Sequence, residues 1–424
     1  MAMETKDITL HPCFNEKARH THARVHLPIA PKCNIQCAYC NRKYDCVNES
    51  RPGVTSTVLS PMQAVHYLKA LSEKLENISV VGIAGPGDPF ANPTETLATL
   101  EILKNEFPDI IFCLSTNGLD LAPHIDKIAE LGVTHVTLTI NSLNVDTLAK
   151  IYTWVRYQRR VYRGKEGAEI LLEQQLKCIP LLKAKGITVK INTVVCPGIN
   201  DGEVEALAQK VAELGADTMN CIPVFPTENT MFEYLEEPSK VAMKELRAKV
   251  AKYIHPMAHC ARCRADAAGL LGKDCSEAQE MIGQFSTMVV NRGEGRTRVG
   301  VATQEGLLVN LHLGEAMKFY IFEQSRNGYH FVETRTAPQQ GGGSERWSTL
   351  ANKTLIDCQA VLVGGVGETP MQILQDNGVQ VIQMNGLIDA GLDAVYQNIP
   401  LKTLCKSEFK GCGEGCRGNA QGCG

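Results

Sequence analysis

The sequence predicts an α/β protein, with a parallel sheet curved into a partial (βα)6 TIM-like barrel followed by a small C-terminal α/β domain. Three observations predict it. Short apolar runs alternate with amphipathic stretches from residue 25 to about 253. Six strand–helix units in series argue for parallel pairing, because a parallel connection needs a crossover, usually a helix. Finally, Cys33, Gly85, Cys113, Asn141, Asn192 and Pro223 all fall at or just past predicted strand ends. Barrels of this kind carry their chemistry there.

The strands are predicted at 25–29, 78–84, 110–115, 135–140, 188–194 and 218–223. Helices are predicted at 61–75, 95–105, 125–131, 168–184, 203–214 and 239–254. Ser60-Pro61 is a strong helix start, an N-cap residue followed by Pro at the first helical position. The expected organisation is an N-terminal segment 1–23, the barrel with a C-terminal extension 24–272, a linker 273–296, a second domain 297–400 and a Cys/Gly-rich tail 401–424. In the second domain, 297–303, 307–310, 318–324 and 329–335 read as short strands and 360–363 as a buried one. Thr369-Pro370 opens a helix, and the glycine-rich stretch 336–348 reads as a loop.

The formal charge is -3, which gives no global attraction to nucleic acid or anionic membrane. No apolar run approaches the ~20 residues of a membrane span, and Met1 to Asp7 lacks the layout of a signal peptide. The expected location is cytoplasmic. Seventeen cysteines are many for such a chain. In a reducing compartment they point to metal binding or catalysis more than to disulfides, and an odd count argues against a complete disulfide framework.

Cys33-x3-Cys37-x2-Cys40 can hold three irons of a four-iron cluster and leave the fourth open to substrate or cofactor. A zinc site is the competing reading, but zinc knuckles favour paired C-x2-C spacing. Cys13, His26, Cys46, Cys113 and the C-x2-C pair Cys260 and Cys263 form a further constellation. Each cysteine alone reads as a small buried hydrophobe; together with His26 they raise the expectation of additional clusters.

The Cys33–Cys40 segment resembles the radical S-adenosylmethionine (SAM) enzymes. A closer resemblance is carried by His26, the Cys33/Cys37/Cys40 motif, Asn41 to Cys46, Glu49 to Val54, Ala84-Gly85-Pro86-Gly87-Asp88-Pro89, Cys113 to Gly118 and His259 to Ala267. Over about residues 13–272 the chain is similar to the NifB family of nitrogenase cofactor maturases. The resemblance implies a radical-SAM barrel and three 4Fe-4S clusters. Cys33, Cys37 and Cys40 would hold the cluster that binds and cleaves SAM. His26, Cys46 and Cys113 would hold one precursor cluster, and Cys13, Cys260 and Cys263 the other. The family fuses the two precursors into an eight-iron cluster around a carbide. One SAM supplies the methyl group, a second yields the radical that abstracts its hydrogen, and sulfite supplies an added sulfur. Implied partners are iron–sulfur donor proteins, a reductant such as ferredoxin and a downstream cofactor carrier or scaffold.

Gly85, Pro86, Gly87 and Asp88 look like the strand-end motif that receives the SAM amino group. Asn141, Ser142, Asn192 and Ile222 are positional candidates for its other groups. By resemblance Glu49, with Arg51 beside it, handles protons from the methyl group; a surface ion pair is the alternative. Arg156, Arg159, Arg160 and Arg163, interleaved with Tyr157 and Tyr162, read as a solvated helix or an anion-facing lid.

Residues 297–396 resemble the small NifX-type cofactor-binding domain, a ribonuclease-H-like α/β fold. Arg298 to Thr303, His312 to Ala316 and Val363 to Gly367 carry the likeness. His312 is the candidate contact to a bound product, or else a packing residue. Cys405, Cys412, Cys416 and Cys423 could bind metal in transit, and Cys178, Cys196, Cys221, Cys275 and Cys358 read as structural. Two other functions fit the clusters: a multi-cluster radical-SAM enzyme of the molybdopterin-cyclase type, with Cys275 as a third ligand, or a non-enzymatic iron–sulfur scaffold.

Overall fold

The alternating apolar runs become six parallel strands in chain order. The computed structural model describes residues 8–41, 46, 58–257, 265–287, 295–325, 328–341, 343–397 and 401. It divides into two units, Met1–Ile282 and Gly283–Gly424.

In the first unit the strands are β1 (Ala23–His26), β2 (Ile78–Ile83), β3 (Ile111–Thr116), β4 (Val133–Thr139), β5 (Thr188–Val195) and β6 (Thr218–Pro223). Each pairs in parallel with the next. This sequential order is that of a partial (βα)6 barrel wall. The strands read as near-continuous apolar runs because a parallel sheet is covered on both faces; every residue of β5 after Thr188 is buried. The helix Pro61–Ser72 starts as expected. Ser60 Oγ accepts from Gln63 N at 3.4 Å while Gln63 Oε1 accepts from Ser60 N at 2.8 Å, a reciprocal capping box.

Three segments differ from expectation, one of them the glycine-rich stretch 336–348, expected as a loop, within which the helix Gly343–Thr349 begins. The basic run is a β-hairpin, Tyr152–Tyr157 and Arg160–Tyr162, and not a helix. Tyr-Thr-Trp-Val-Arg-Tyr is rich in aromatic and β-branched residues, which favour a pleated surface. Gln158 and Arg159 turn the chain with φ of 48° and 66°. The stretch expected as a linker contains a helix, Ser276–Thr287. Just before it, Ala268–Leu270 adds to the sheet antiparallel to β1.

Arg24 ties that addition down. Its guanidinium, 1% exposed, donates to Gly269 O at 2.6 Å and Leu270 O at 3.0 Å and pairs with Asp274 at 2.5 Å. Removing one partner of a buried ion pair leaves the other uncompensated. Arg24→Met is therefore expected to destabilise the unit by about 3 kcal/mol, read as a lower denaturant midpoint. An unchanged midpoint would show that the pair does not anchor the edge.

The second unit is a five-stranded mixed sheet. Arg298–Val301 lies at its centre, antiparallel to Lys318–Ser325 and parallel to Cys358–Val363. Gly328–Thr336 and Gln380–Gln383 form the edges. Separate apolar clusters cover it. One gathers Trp347, Leu350 and Leu374 from the segments Gly343–Thr349, Leu350–Thr354 and Glu368–Asp376. The other gathers Ile388, Leu392 and Val395 from Ile388–Tyr396. Among the described residues no helix is long and apolar enough to cross a membrane.

Candidate functional site

The cysteine loop is held by backbone pairing. Leaving β1, the chain reaches a short strand, Ile35–Cys37, which pairs antiparallel with Tyr152–Tyr157. Further backbone bonds run from Ala38 N to Ile151 O (2.7 Å), Arg156 N to Asn34 O (2.8 Å) and Cys40 N to Cys37 O (3.0 Å). Gln36 Nε2 donates to the carbonyls of Cys37 (3.2 Å) and Cys40 (2.6 Å). The hairpin that the sequence presented as a basic run is thus the brace of the cysteine motif.

Cys33, Cys37, Cys40 and Cys46 line one cavity of about 390 Å³, together with Gly87, Asp88, Ser115, Thr116 and Asn117. The Asp88 carboxylate accepts from Phe90 N (2.9 Å), Thr116 Oγ1 (2.9 Å) and Asn117 N (2.7 Å). Burial pushes its pKa up, and these donors oppose the shift. Its carboxylate clamps the end of β3 to the loop after β2. Asn117 Nδ2 donates to Asn34 Oδ1 at 2.7 Å and stands 3.9 Å from Cys33 Sγ. Hydrogen bonds to cluster sulfurs tune potential, so Asn117, absent from the expected set, is a candidate site residue beside Cys33. Its place two residues past a predicted strand end was the available signal.

A second cavity, about 660 Å³, is lined by Cys13, His26, Cys113 and Asn192 with His11, Phe14, Arg24, Lys190 and others. Ser115 lines both cavities. His26 pairs in register with Gly82, and a Cβ there would meet its ring at 3.0 Å, so the glycine makes room for the imidazole. The His135 ring packs, tilted, against those of His11 and Phe14. Burial and the nearby Lys190 lower its pKa to about 4, Asp217 opposing, which keeps it neutral.

The other residues expected to contact SAM do not line the first cavity. Asn141 is fully buried, donating to Tyr39 Oη and Tyr152 Oη and accepting from Val194 N. Ser142 Oγ donates to Glu203 and accepts from Asn144 N. Ile222 is buried, and Asn192 faces the second cavity. Gly85 O accepts from Ala30 N at 3.2 Å, and Pro86 bridges Ala30. Glu49, Arg51, Cys260, Cys263 and the four tail cysteines lie outside the described residues.

Other cysteines are chemically quiet. Burial pushes the thiols of Cys178, Cys196 and Cys358 up to about 12 and Cys221 to about 11. A thiol so raised is a poor ligand or nucleophile. In the second unit His312 is half-buried and forms a bridge with Gly365, whose bare Cα lies against the ring; a Cβ would stand 2.8 Å from Cδ2. Its Nδ1 accepts from Gly314 N at 3.1 Å.

The FeMo cofactor biosynthesis protein NifB of Chlorobaculum tepidum is 46% identical to this chain over 423 residues, covering 99% of the chain and 100% of that protein. The chain belongs to the NifB family. NifB of Klebsiella pneumoniae is 39% identical over 402 residues, covering 87% and 86%. The radical SAM superfamily model matches residues 27–211, and the dinitrogenase iron-molybdenum cofactor model matches 295–398. Family membership makes this a radical-SAM enzyme, with a 4Fe-4S cluster and SAM as its cofactors.

The first cavity fits that cluster. Three thiols of one braced loop share its wall, and the donor set is all sulfur, as iron–sulfur ligation requires. Among the described residues no three His, Cys, Asp or Glu side chains gather around a single metal ion. A four-iron cluster makes no such demand, since each thiolate binds a different iron.

Proposed function

We propose that this radical-SAM maturase of the FeMo cofactor precursor fuses two four-iron clusters with a SAM-derived carbide and one added sulfur, giving an eight-iron product. The observation that carries the reading is the pair of cavities sharing Ser115, one walled by the cysteine motif and the other by Cys13, His26 and Cys113. Cys33, Cys37 and Cys40 hold the resident cluster, which when bound supplies the electron for reductive cleavage of SAM. The backbone around Gly87 receives SAM beside it. His26 and Cys113 of the second cavity, with Cys46 from the wall of the first, hold one precursor cluster, and Cys13, with Cys260 and Cys263, holds the other, while Glu49 and Arg51 serve proton transfer. Sulfite supplies the added sulfur, ferredoxin-type reductants the electrons, and donor proteins the precursors. The second unit retains product through His312.

The test is an anaerobic incubation of reduced, iron-loaded protein with SAM labelled in its methyl carbon. Label in an acid-labile, protein-bound cluster, with 5'-deoxyadenosine and S-adenosylhomocysteine both formed, is the expected result. Deoxyadenosine without methyl transfer would overturn the reading.

Thiolates hold a substrate cluster more firmly than a neutral imidazole, which releases more readily. His26→Cys is thus expected to keep iron content at the wild-type level while slowing product formation. Measured product formation equal to wild type would remove this role for the imidazole.

A further inference from the structure

Among the described residues, His11 Nε2 and Ser115 Oγ are buried side-chain atoms without a hydrogen-bond partner, and both belong to residues lining the second cavity. Leaving a buried polar group unpaired is costly, so two on one cavity wall ask for a common partner. The chemistry of that partner can be read from the donors. His11 Nδ1 accepts from Cys13 N at 3.1 Å, so this nitrogen carries no proton and the ring proton sits on Nε2. The ring is 1% exposed and fixed between Phe14 and His135, at centroid distances of 4.7 and 4.4 Å. Its Nε2–H is therefore a rigid donor. The Ser115 hydroxyl can turn to donate as well. Lys190, whose ammonium lies 5.7 Å from the Phe14 ring, adds positive charge to the same wall. Donors and a cation together select an anion rich in acceptor atoms.

We propose that His11 and Ser115 donate hydrogen bonds to the anionic substrate of the second cavity, and that this substrate is an iron–sulfur cluster whose sulfides accept them. The inference rests on the function proposed above. A cluster is favoured over a free oxyanion because the same cavity presents two thiols and an imidazole, all iron ligands, from Cys13, Cys113 and His26. Ser115, shared by both cavities, orients the substrate toward the SAM side. Both contact the substrate's sulfides and leave iron ligation to others.

The experiment compares His11→Asn, His11→Gln, Ser115→Ala and Ser115→Thr in the full-length, anaerobically reconstituted protein. Asn can keep the bond from Cys13 N but loses the outer donor; Gln carries a donor to the Nε2 position. Thr keeps the hydroxyl that Ala removes. Two readouts are taken, the reduction potential of the substrate clusters by titration followed by electron paramagnetic resonance, and their retention against an iron chelator. Hydrogen bonds to cluster sulfurs enter the potential directly, whereas a role in folding alone does not. His11→Asn and Ser115→Ala are expected to lower the potential and to weaken retention roughly tenfold, with Gln and Thr returning toward wild type. Wild-type potentials and retention in both deletions would overturn the inference. So would a result in which clusters are unaffected and only the sulfite concentration needed for turnover rises, since the donors would then serve a free oxyanion. If the wild-type protein took up no cluster beyond the first, the functional reading would fall as well, which separates the two failures.

Discussion

Cys37→Ser is expected to fold like the wild type and to lose reductive SAM cleavage to background. The position is set by main-chain atoms: Cys37 pairs with Tyr152 across the short sheet, and its carbonyl accepts from Cys40 N and Gln36 Nε2. None of these bonds uses the thiol, and serine is slightly smaller, so the loop should keep its shape. The alcohol does not ionise to an iron ligand as a thiol does. The resident cluster would be left with two protein thiolates of its motif. The measurement is 5'-deoxyadenosine formed per protein after anaerobic reconstitution, with circular dichroism as the check on folding. Cys178→Ser is the matched control. That thiol donates to Gly118 O at 3.7 Å in a buried setting away from both cavities, and its loss should leave SAM cleavage intact. Wild-type turnover in Cys37→Ser would remove the motif from cluster binding.

The same contrast explains which parts of the molecule were legible in the chain. The barrel was legible because its signal is local and repeated: six apolar runs of strand length, each followed by a helical stretch, leave few arrangements other than sequential parallel pairing. The cysteine motif was legible because its three ligands lie on one short loop. The second cavity is different. Cys13, His26 and Cys113 come from three separate segments, and no spacing along the chain relates them. Their grouping with His11, Ser115 and Lys190 depends on β1, β3 and β5 lining one cavity. Strand-end position also proved an incomplete guide. Asn141 and Asn117 both follow predicted strands, yet Asn141 is consumed by Tyr39, Tyr152 and Val194 while Asn117 reaches the cysteine loop. Periodicity reports which face a residue occupies and not which neighbours claim its hydrogen bonds. The hairpin at 152–162 was missed because its arginines outweighed the aromatic and β-branched residues between them.

Gly87→Ala is expected to be the most damaging single methyl addition in the first unit. The glycine in the loop after β2 is needed for close approach, since a Cβ at Gly87 would lie 2.6 Å from the carbonyl carbon of Lys32, closer still to its oxygen, and 2.7 Å from Pro31 O. These are backbone atoms on the segment that leads into Cys33, so no side chain can rotate away. The two segments are also stitched together on either side, by Gly87 N to Ala30 O at 2.6 Å and Asp88 N to Lys32 O at 2.8 Å, with Asn92 Nδ2 donating to Lys32 O at 2.9 Å. Relief of the clash must break these bonds and separate the loop after β2 from the cysteine loop. Overpacking of this kind costs about 3 kcal/mol or more, and the displacement falls on the wall that carries Cys33 and Asp88. The expected outcome is a lower melting temperature together with SAM cleavage near background, even where iron content is partly retained. Gly202→Ala, with no atom within 4 Å of its Cβ, should change neither. A Gly87→Ala protein with wild-type melting and SAM turnover would mean that the cysteine loop and the loop after β2 do not need this contact to form the site.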